Sequence, residues 1–234
     1  MADKLKIYVG YDKREDIAWQ VCRSSILQHA AEAPEIYPLK QDSLRELGLY
    51  TRPMDKGAAT EFSLTRFLTP YLADSDGWVL FVDCDFLFTT DIARLTADLD
   101  PSKAVYCVQH DYVPRTSQKM DGQVQTTYPR KNWSSFILFN GAHPAVRALT
   151  PRVVNTASPA HLHRLSWAED DAIGGLPLGW NFLEGEYDRP SELPYAIHYT
   201  NGGPWFPNCQ DVDYADLWLA ARDRYLASVG SAAA

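Results

Sequence analysis

The sequence predicts an α/β fold in which a mostly parallel central sheet is flanked by helices. Leu5–Val9 is a short apolar run that ends at Gly10, as expected of a buried parallel strand. Ile17–His29 then carries apolar residues at helical spacing, and Glu35–Leu39 is a second strand candidate. Trp78–Val82, with the sequence WVLFV, is the clearest buried strand of the chain. A strand–helix–strand unit followed by a further apolar strand is typical of an α/β sheet.

The rest of the chain alternates short strand candidates with short helices. We expect turns over Ser43–Leu49 and a helix over Thr60–Leu72, whose last turn Pro70 would disturb. The later candidates are strands at Ala104–Val108 and Ser135–Phe139, short helices at Pro144–Thr150 and Pro159–Leu165, and a closing amphipathic helix at Asp213–Leu226. No internal repeat or low-complexity linker separates them, so we expect one domain over residues 1–227 and a flexible tail at residues 228–234.

The composition disfavours several classes of protein. The 22 Lys and Arg against 30 Asp and Glu give a formal net charge of -8, and the lack of a basic block argues against a nucleic-acid partner. Four cysteines stand far apart without a CxxC pair, which indicates reduced thiols rather than disulfides or a zinc site. No apolar run reaches the length of a signal peptide or a membrane span. We therefore expect a cytoplasmic protein with no transmembrane segment, and peripheral contact as its only route to a membrane.

Two carboxylates directly follow the WVLFV strand. Asp83 and Asp85 are two residues apart, so on a strand both side chains point the same way. They lie where the carboxyl edge of a parallel sheet binds ligands. The two carboxylates repel each other unless a cation lies between them, and Mg²⁺ or Mn²⁺ would leave positions open for phosphate oxygens. The alternative is that one carboxylate caps the following turn and the other is solvated.

His198 is a candidate third metal ligand. It precedes a turn that contains Asn201, Gly202 and Gly203, and such a turn can present backbone N–H groups to a phosphate. A histidine beside a phosphate site is chemically suited to a divalent metal. The alternative is a packed, hydrogen-bonded core histidine.

Three other segments carry candidate functional groups. The turn after the first strand, residues 9–12, lies where a nucleotide base could bind, although an ordinary strand-to-helix turn is the alternative. Glu169, Asp170 and Asp171 are consecutive acids; a carboxylate here could act at an anomeric carbon, or the three could form a solvated helix start. Asp111–Asn132 is polar and interrupted by proline and glycine, which favours a long loop that closes over a site. Its basic residues, candidates for diphosphate contact, are Arg115, Lys119, Arg130 and Lys131.

Six segments, in this order, resemble glycosyltransferase family 8, the family of glycogenin and of bacterial lipopolysaccharide galactosyl- and glucosyltransferases. Together they cover about residues 5–206. The segments are IYVGYD at 7–12, FSLTRFL at 62–68, VLFVDCDFL at 79–87, EDDAI at 169–173, LPLGWN at 176–181 and HYTNGGPW at 198–205. The hydrophobic strand that ends in Asp-x-Asp is the most specific match.

The resemblance implies a GT-A nucleotide-diphospho-sugar transferase fold, a UDP-sugar donor, a carbohydrate or glycan acceptor, and transfer of a hexose with retention of anomeric configuration. It also implies Mn²⁺ or Mg²⁺ held by Asp83, Asp85 and His198. Asp170 would stand where the family has glutamine at the reacting sugar, and Asp171 would bind the sugar hydroxyls. The residues implied to contact the donor are Val9, Gly10, Tyr11, Asp12, Arg66, Asp83, Cys84, Asp85, His198, Asn201, Gly202 and Gly203.

The sequence departs from the family at two places. The lysine of the closing motif is Gly203, and the Asn-Ser-Gly of the sugar pocket appears as Trp133-Ser134-Ser135. The missing lysine motivates an alternative function, that of a catalytically weak nucleotide-sugar-binding module. VLFVDCDFLFTT also resembles the motif of haloacid-dehalogenase-like phosphatases, with Asp83 as nucleophile and Asp85 as acid. That motif normally follows the first strand of its fold, whereas a strand–helix–strand unit precedes it here.

Overall fold

A computed structural model of the chain describes residues 4–54, 60–74, 76–115 and 129–232. The strands are β1 Lys6–Gly10, β2 Glu35–Leu39, β3 Trp78–Val82, β4 Phe86–Phe88, β5 Val105–Cys107, β6 Phe136–Asn140, β7 Ile173–Gly175, β8 Phe182–Leu183 and β9 Ala196–His198. The α-helices are α1 Asp16–His29, α2 Gln41–Glu46, α3 Thr69–Ala73, α4 Pro144–Arg147, α5 Pro151–Thr156, α6 Pro159–His163 and α7 Ala215–Ala232.

The main sheet has six strands in the order β2-β1-β3-β6-β5-β7. Strands β1, β2, β3, β5 and β7 run in one direction and only β6 opposes them. The sequences of β3 and β6, WVLFV and FILFN, are almost entirely buried, as expected of central strands covered on both faces. The predicted α/β fold with a mostly parallel central sheet is therefore confirmed.

A second sheet places the late part of the chain beside the end of β3. Its three strands lie in the order β4-β9-β8, and β4 pairs antiparallel with β9 so that Phe86 lies opposite His198. Because β4 begins only four residues after Val82, this register brings His198 next to the segment that contains Asp83 and Asp85.

Helix α1 contributes buried side chains to both hydrophobic clusters of the fold. Its buried residues, among them Trp19 and Cys22, belong to the core of the main sheet, while Val21 belongs to a smaller cluster around α7. Trp218 of α7 is 1% exposed and packs against Trp205 at 5.1 Å between ring centroids. Among the described residues, no helix combines the length and apolar character needed to cross a membrane.

The structure corrects two sequence predictions in the first half of the chain. Ser43–Leu49, predicted as turns, overlaps helix α2, whose Leu44 is buried in the core. The helix predicted over Thr60–Leu72 is a 3₁₀ turn, Thr65–Leu68, followed by α3. Pro70 lies in the first turn of α3, where its missing N–H removes no helical hydrogen bond, and so it starts a helix rather than disturbing one.

The end of the chain also differs from its prediction. Helix α7 begins at Ala215 and continues to Ala232, so it extends beyond the predicted Asp213–Leu226 and includes most of the segment expected to be a flexible tail. Ala, Leu and Arg dominate its sequence, ADLWLAARDRYLASVGSA, and these residues have high intrinsic helix propensity.

Candidate metal centre

The structure brings Asp83, Asp85 and His198 together at the carboxyl edge of β3. One ligand atom from each side chain lies within 4.8 Å of the other two. Asp83 and Asp85 come from the segment between β3 and β4, and His198 is the last residue of β9. Two carboxylate oxygens and one imidazole nitrogen can hold a divalent metal ion.

The contact between Asp85 and His198 is electrostatically incomplete. His198 Nε2 lies 3.3 Å from Asp85 Oδ1, and their side chains are 2% and 11% exposed. Asp85 Oδ1 is buried without a hydrogen-bond partner among the described residues. A buried acceptor of this kind is unfavourable unless a hydrogen-bond donor or a cation lies close to it. Either a proton on His198 Nε2 or a bound cation would meet that need.

Arg66 is fixed beneath Asp83 and does not extend toward solvent. Its guanidinium lies 2.9 Å from Asp83 Oδ1 and donates hydrogen bonds to the backbone carbonyls of Ser63 and Ser134. Arg66 is only 5% exposed. The structure therefore gives it a partner within the protein, where the sequence predicted a direct contact with the donor.

Cys84 faces the core between the two carboxylates. It is 1% exposed, and burial raises the pKa of its thiol well above the ordinary value. A contact between Cys84 and a ligand would therefore come from its backbone.

A buried glutamate lies near the metal centre. Glu15 is 2% exposed. Burial, followed by the negative charges of Asp85 and Asp12, raises its pKa from 4.5 to about 8. The environment of this carboxyl group therefore favours its neutral form over its ionised form.

The turn after β1 is built around close packing. A Cβ on Gly10 would lie 2.5 Å from the ring of Phe62, so this position requires glycine. Asp12 is fully buried and accepts hydrogen bonds from Arg14 and from the N–H of Glu61. Burial acts to raise the pKa of Asp12, but these hydrogen bonds keep it below the ordinary value. Asp12 therefore holds this edge of the site together.

Tyr11 is the more accessible residue of this turn. Its ring is half-buried, its hydroxyl donates to Asp16, and the ammonium of Lys40 lies 4.5 Å from the ring centroid. A cavity of about 370 Å³ adjoins the same edge. Its lining includes Arg14, Gln41, Tyr50, Glu61 and His163.

The turn after His198 leaves little room for a side chain at the position of the closing lysine. Gly202 has φ +106, which favours glycine. A Cβ on Gly203 would lie 2.0 Å from the indole of Trp205, so the tryptophan occupies the space that any side chain at 203 would need. Asn201 is held by a hydrogen bond from its amide to Glu186.

Asp170 and Asp171 do not join the metal centre. Asp170 has a side chain 83% exposed and pairs with Arg130 at 2.5 Å, and Asp171 is also exposed. Ile173, just after them, aligns through β5 and β6 with Val79 near the start of β3. Three strand spacings then separate β7 from β3, about 14 Å sideways. Their catalytic role remains a prediction, and this placement favours the alternative of solvated acids.

The loop predicted over Asp111–Asn132 is described only at its ends, because residues 116–128, including Lys119, lie outside the described residues. Arg115 pairs with Asp188 at 2.9 Å, and Arg130 pairs with Asp170. Lys131 is buried. The closing motion of this loop remains a prediction.

Two polar residues around the centre, the half-buried His163 and the buried Asn181, were missed by sequence reasoning. His163 hydrogen-bonds Ser134 through Nδ1 at 2.9 Å, and burial with the nearby Arg66 lowers its pKa to about 3. Asn181 contacts His198 Nδ1 at 2.8 Å. The segment LPLGWN was recognised as a motif, but the spacing of 17 residues between Asn181 and His198 carries no local signal of contact.

The chain is similar to solved glycosyltransferase structures. The match to the WbbM bifunctional glycosyltransferase covers 95% of this chain and 50% of that protein, with TM-score 0.60 and 18% identity. The match to the glycosyltransferase GlyE of Streptococcus pneumoniae covers 99% of this chain and 64% of that protein, with TM-score 0.63 and 16% identity. The match to the galactosyltransferase LgtC, solved with donor and acceptor sugar analogs, covers 94% of this chain and 96% of that protein, with TM-score 0.60 and 13% identity. The chain thus spans about half of the first protein and 64% of the second.

Fold and cluster together define a protein with a GT-A-like glycosyltransferase fold and a candidate metal centre at its sheet edge. No family model matches the sequence. The chain belongs to the family of Protein CDI from Arabidopsis thaliana, with which it shares 52% identity over 225 residues, 94% of this chain and 86% of that protein.

Proposed function

We propose that this protein is a metal-dependent glycosyltransferase, related to family 8, which moves a hexose from a UDP-sugar to a carbohydrate or glycan acceptor with retention of configuration. The observation that carries the proposal is the meeting of Asp83, Asp85 and His198 at the carboxyl edge of a GT-A-like sheet. The two acids are only two residues apart in the sequence, whereas the histidine is far from them, so the fold itself assembles the three ligands.

The donor set fits Mn²⁺ or Mg²⁺. Asp85 Oδ1 is buried without a hydrogen-bond partner among the described residues, and the facing His198 Nε2 can offer its lone pair to the same cation. A nitrogen ligand favours Mn²⁺ over Mg²⁺. Asp83, Asp85 and His198 would hold the ion, and the chemistry it would supply there is positive charge that favours departure of the UDP leaving group.

The charges of the chain's own residues make a cation necessary before an anionic donor can bind. With His198 neutral, Asp83, Asp85 and Arg66 carry one net negative charge between them, because Arg66 pairs with Asp83. A divalent cation reverses the sign of that charge and makes the site attractive to a diphosphate. Arg66 also keeps Asp83 in one orientation, so the carboxylate is positioned before the donor arrives.

The nucleoside would lie on the β1 side of the metal. The cavity lined by Arg14, Gln41 and Glu61 supports this assignment, because Arg14 and Glu61 hydrogen-bond Asp12 in the turn after β1. The half-buried face of Tyr11 is suited to stacking on a base. The transferred sugar would then lie on the other side of the metal, toward β6 and β5.

A second candidate function is a nucleotide-sugar-binding module with little transfer activity. The closing motif has Gly203 where the family has lysine, and Trp205 fills the space that a side chain there would occupy. Arg115 and Arg130 are paired with acids in the described part of the chain. A site with fewer cations at the diphosphate would stabilise the leaving group less.

The experiment that separates these functions has two parts. Thermal shift with UDP, UDP-glucose, UDP-galactose and GDP-mannose, each with Mn²⁺ or EDTA, shows which nucleotide stabilises the fold. UDP release across an acceptor panel then measures turnover, and NMR of the product reports its anomeric configuration. The proposal expects Mn²⁺-dependent stabilisation by UDP-sugars and UDP release that depends on an acceptor. Stabilisation without turnover supports the binding module, and no stabilisation by any nucleotide contradicts both functions.

A further inference from the structure

Asn181 is a completely buried asparagine in contact with His198. It is 0% exposed, and it ends the 3₁₀ turn Leu178–Asn181 just before β8. Its side chain makes three contacts: to His198 Nδ1 at 2.8 Å, to Ser135 Oγ at 2.9 Å and to the backbone carbonyl of Asn132 at 3.3 Å. Both N–H donors of the amide and one acceptor position of its oxygen are therefore used.

The partners of the amide fix which way it points. The carbonyl oxygen of Asn132 can only accept hydrogen bonds. Ser135 Oγ donates its own proton to that carbonyl at 2.7 Å, so it too must accept from Asn181. The NH₂ group of Asn181 therefore donates both of these hydrogen bonds, one to Asn132 O and one to Ser135 Oγ. The amide oxygen Oδ1 then faces His198 Nδ1.

The orientation of the amide in turn fixes the protonation of His198. Because Oδ1 of Asn181 can only accept, His198 must carry a proton on Nδ1. In the neutral imidazole, Nε2 then carries a lone pair and faces Asp85 Oδ1 at 3.3 Å. The ring cannot easily turn away, since it stacks on Phe86 with centroids 4.3 Å apart.

The other neutral tautomer of His198 would satisfy Asp85 with a hydrogen bond, without a metal. With the proton on Nε2, His198 would donate a hydrogen bond to Asp85 across the same short gap and satisfy the carboxylate. Asn181 opposes this tautomer, because Nδ1 and Oδ1 would then both be acceptors at 2.8 Å. The network from Asn132 through Asn181 therefore keeps Nε2 available to a cation.

We propose that Asn181 is a positioning residue that holds His198 in the Nδ1-protonated tautomer and thereby sets the affinity of the centre for a divalent cation. This inference rests on the proposed metal centre and adds to it a residue that does not touch the metal. Partners of this kind orient a ligating histidine and raise its basicity.

The test measures Mn²⁺ alone, by the electron paramagnetic resonance signal of the free ion. Asn181→Leu removes the acceptor for Nδ1–H at similar side-chain volume, and we expect Mn²⁺ affinity to fall by about 10- to 100-fold. Asn181→Asp keeps an acceptor facing Nδ1 while losing both donated hydrogen bonds, and we expect its affinity to stay within about threefold of the wild type, since the histidine partner is retained.

Asn140→Leu is the matched control. Asn140 is a similarly buried asparagine at the opposite end of β6, where it donates to the carbonyls of Pro101 and Lys103. We expect this variant to lower the melting temperature but leave the Mn²⁺ affinity of the folded protein unchanged. Equal losses of affinity in Asn140→Leu and Asn181→Leu would overturn the inference, because the effect would then come from general loss of stability.

The outcomes distinguish this inference from the function it rests on. Mn²⁺ binding by the wild type that Asn181→Leu leaves unchanged overturns the role of Asn181 alone. No Mn²⁺ binding by the wild type overturns the metal centre and the inference together. If Asn181→Leu does not fold, long-range ¹H–¹⁵N NMR of the wild type with Mg²⁺ decides: His198 protonated on Nδ1 supports the inference, and protonation on Nε2 overturns it.

Discussion

His198 Nε2 and Asp85 Oδ1 face each other at 3.3 Å in side chains that are almost completely buried. The aspartate oxygen has no hydrogen-bond partner among the described residues, and the hydrogen bond to Asn181 places the histidine proton on the far side of the ring. Two acceptors held together in this way are unfavourable in the absence of a cation. The site is therefore less stable when empty, which is common where a protein is organised for binding rather than for its own folding.

The first prediction concerns this local instability. In EDTA, Asp85→Asn should be more stable than the wild type by about 1 kcal/mol, because the new amide can donate to His198 Nε2 in place of a second acceptor. With saturating Mn²⁺ the order should reverse, since only the wild type gains binding energy. Urea unfolding in both conditions measures the difference.

Asp98→Asn is the control for that comparison, because Asp98 is an exposed acid and the substitution removes the same charge. It should change stability little in either condition. A wild type that is already more stable than Asp85→Asn in EDTA would mean that His198 itself satisfies Asp85.

The second prediction concerns pH. The pKa of Glu15 is raised from 4.5 to about 8, first by burial and then by Asp85 and Asp12. Between these values the folded protein holds a proton that the unfolded chain has released, so the stability contributed by the neutral carboxyl is lost as pH rises toward 8. His110 and His163 act in the opposite direction, since burial lowers the pKa of each from 6.5 to about 3 and stability is lost as pH falls.

Glu15→Gln separates the two effects. Its stability relative to the wild type should increase steadily from pH 5 to pH 8 in metal-free buffer, because the amide stays neutral. The exposed Glu32 supplies the control, Glu32→Gln, whose difference from the wild type should stay flat. A constant difference for Glu15→Gln over this range would show that Glu15 is ionised in the folded protein at pH 5.

The third prediction concerns Gly203, which stands where the resembled family has a lysine. Gly203→Lys should not restore the family lysine, because the first carbon of its side chain would meet the indole of Trp205 at 2.0 Å. We expect a loss of about 1–3 kcal/mol from overpacking. Thermal or urea unfolding measures it.

Gly230 offers a matched glycine in helix α7 with no atom within 4 Å of an added Cβ. Gly230→Ala should be neutral or up to about 1 kcal/mol stabilising, through helix propensity alone. A Gly203→Lys protein as stable as the wild type would show that Trp205 moves aside readily, and its UDP affinity would then become informative about the missing cation.

The fourth prediction concerns the acids at 170 and 171. Given their exposure and their distance from β3 across the sheet, Asp170→Asn and Asp171→Ala should each keep turnover within about threefold of the wild type, under about 0.7 kcal/mol of transition-state stabilisation. UDP release with the working acceptor measures this. A loss of turnover with UDP affinity unchanged would instead support the catalytic role predicted from the sequence and require this segment to approach the donor.

The sequence was most informative where local pattern and chemistry coincide. The run WVLFV predicted β3 with its observed bounds, Trp78–Val82, because a continuous apolar run of this length is typical of a strand buried on both faces. Asp83 and Asp85 were then predicted as candidate metal ligands, because ligands bind at the carboxyl end of such a strand. His198 was found by its neighbouring glycines, and its contact with Asp85 was then created by the pairing of β4 with β9.

The sequence was least informative where long-range packing decides. The second sheet is made of strands of only two or three residues, too short for a period to be read. Asn181 and Glu15 were missed because a polar residue does not reveal from its neighbours that it will be buried. The predicted contact of Arg66 with the donor stays a prediction, and its pairing with Asp83 depends on how the 3₁₀ turn at Thr65–Leu68 packs against the neighbouring strands.

The most direct test of the account is calorimetric titration of UDP into wild type and Asp85→Asn, each with Mn²⁺ and with EDTA. Asp85 is the ligand with the clearest unmet need for a cation, and Asp98→Asn again serves as the charge-matched control. We expect the wild type and Asp98→Asn to bind UDP with Mn²⁺ and to lose that binding in EDTA, while folded Asp85→Asn shows no Mn²⁺-dependent binding. Unchanged UDP affinity in Asp85→Asn, with its metal dependence intact, would contradict the proposed metal centre.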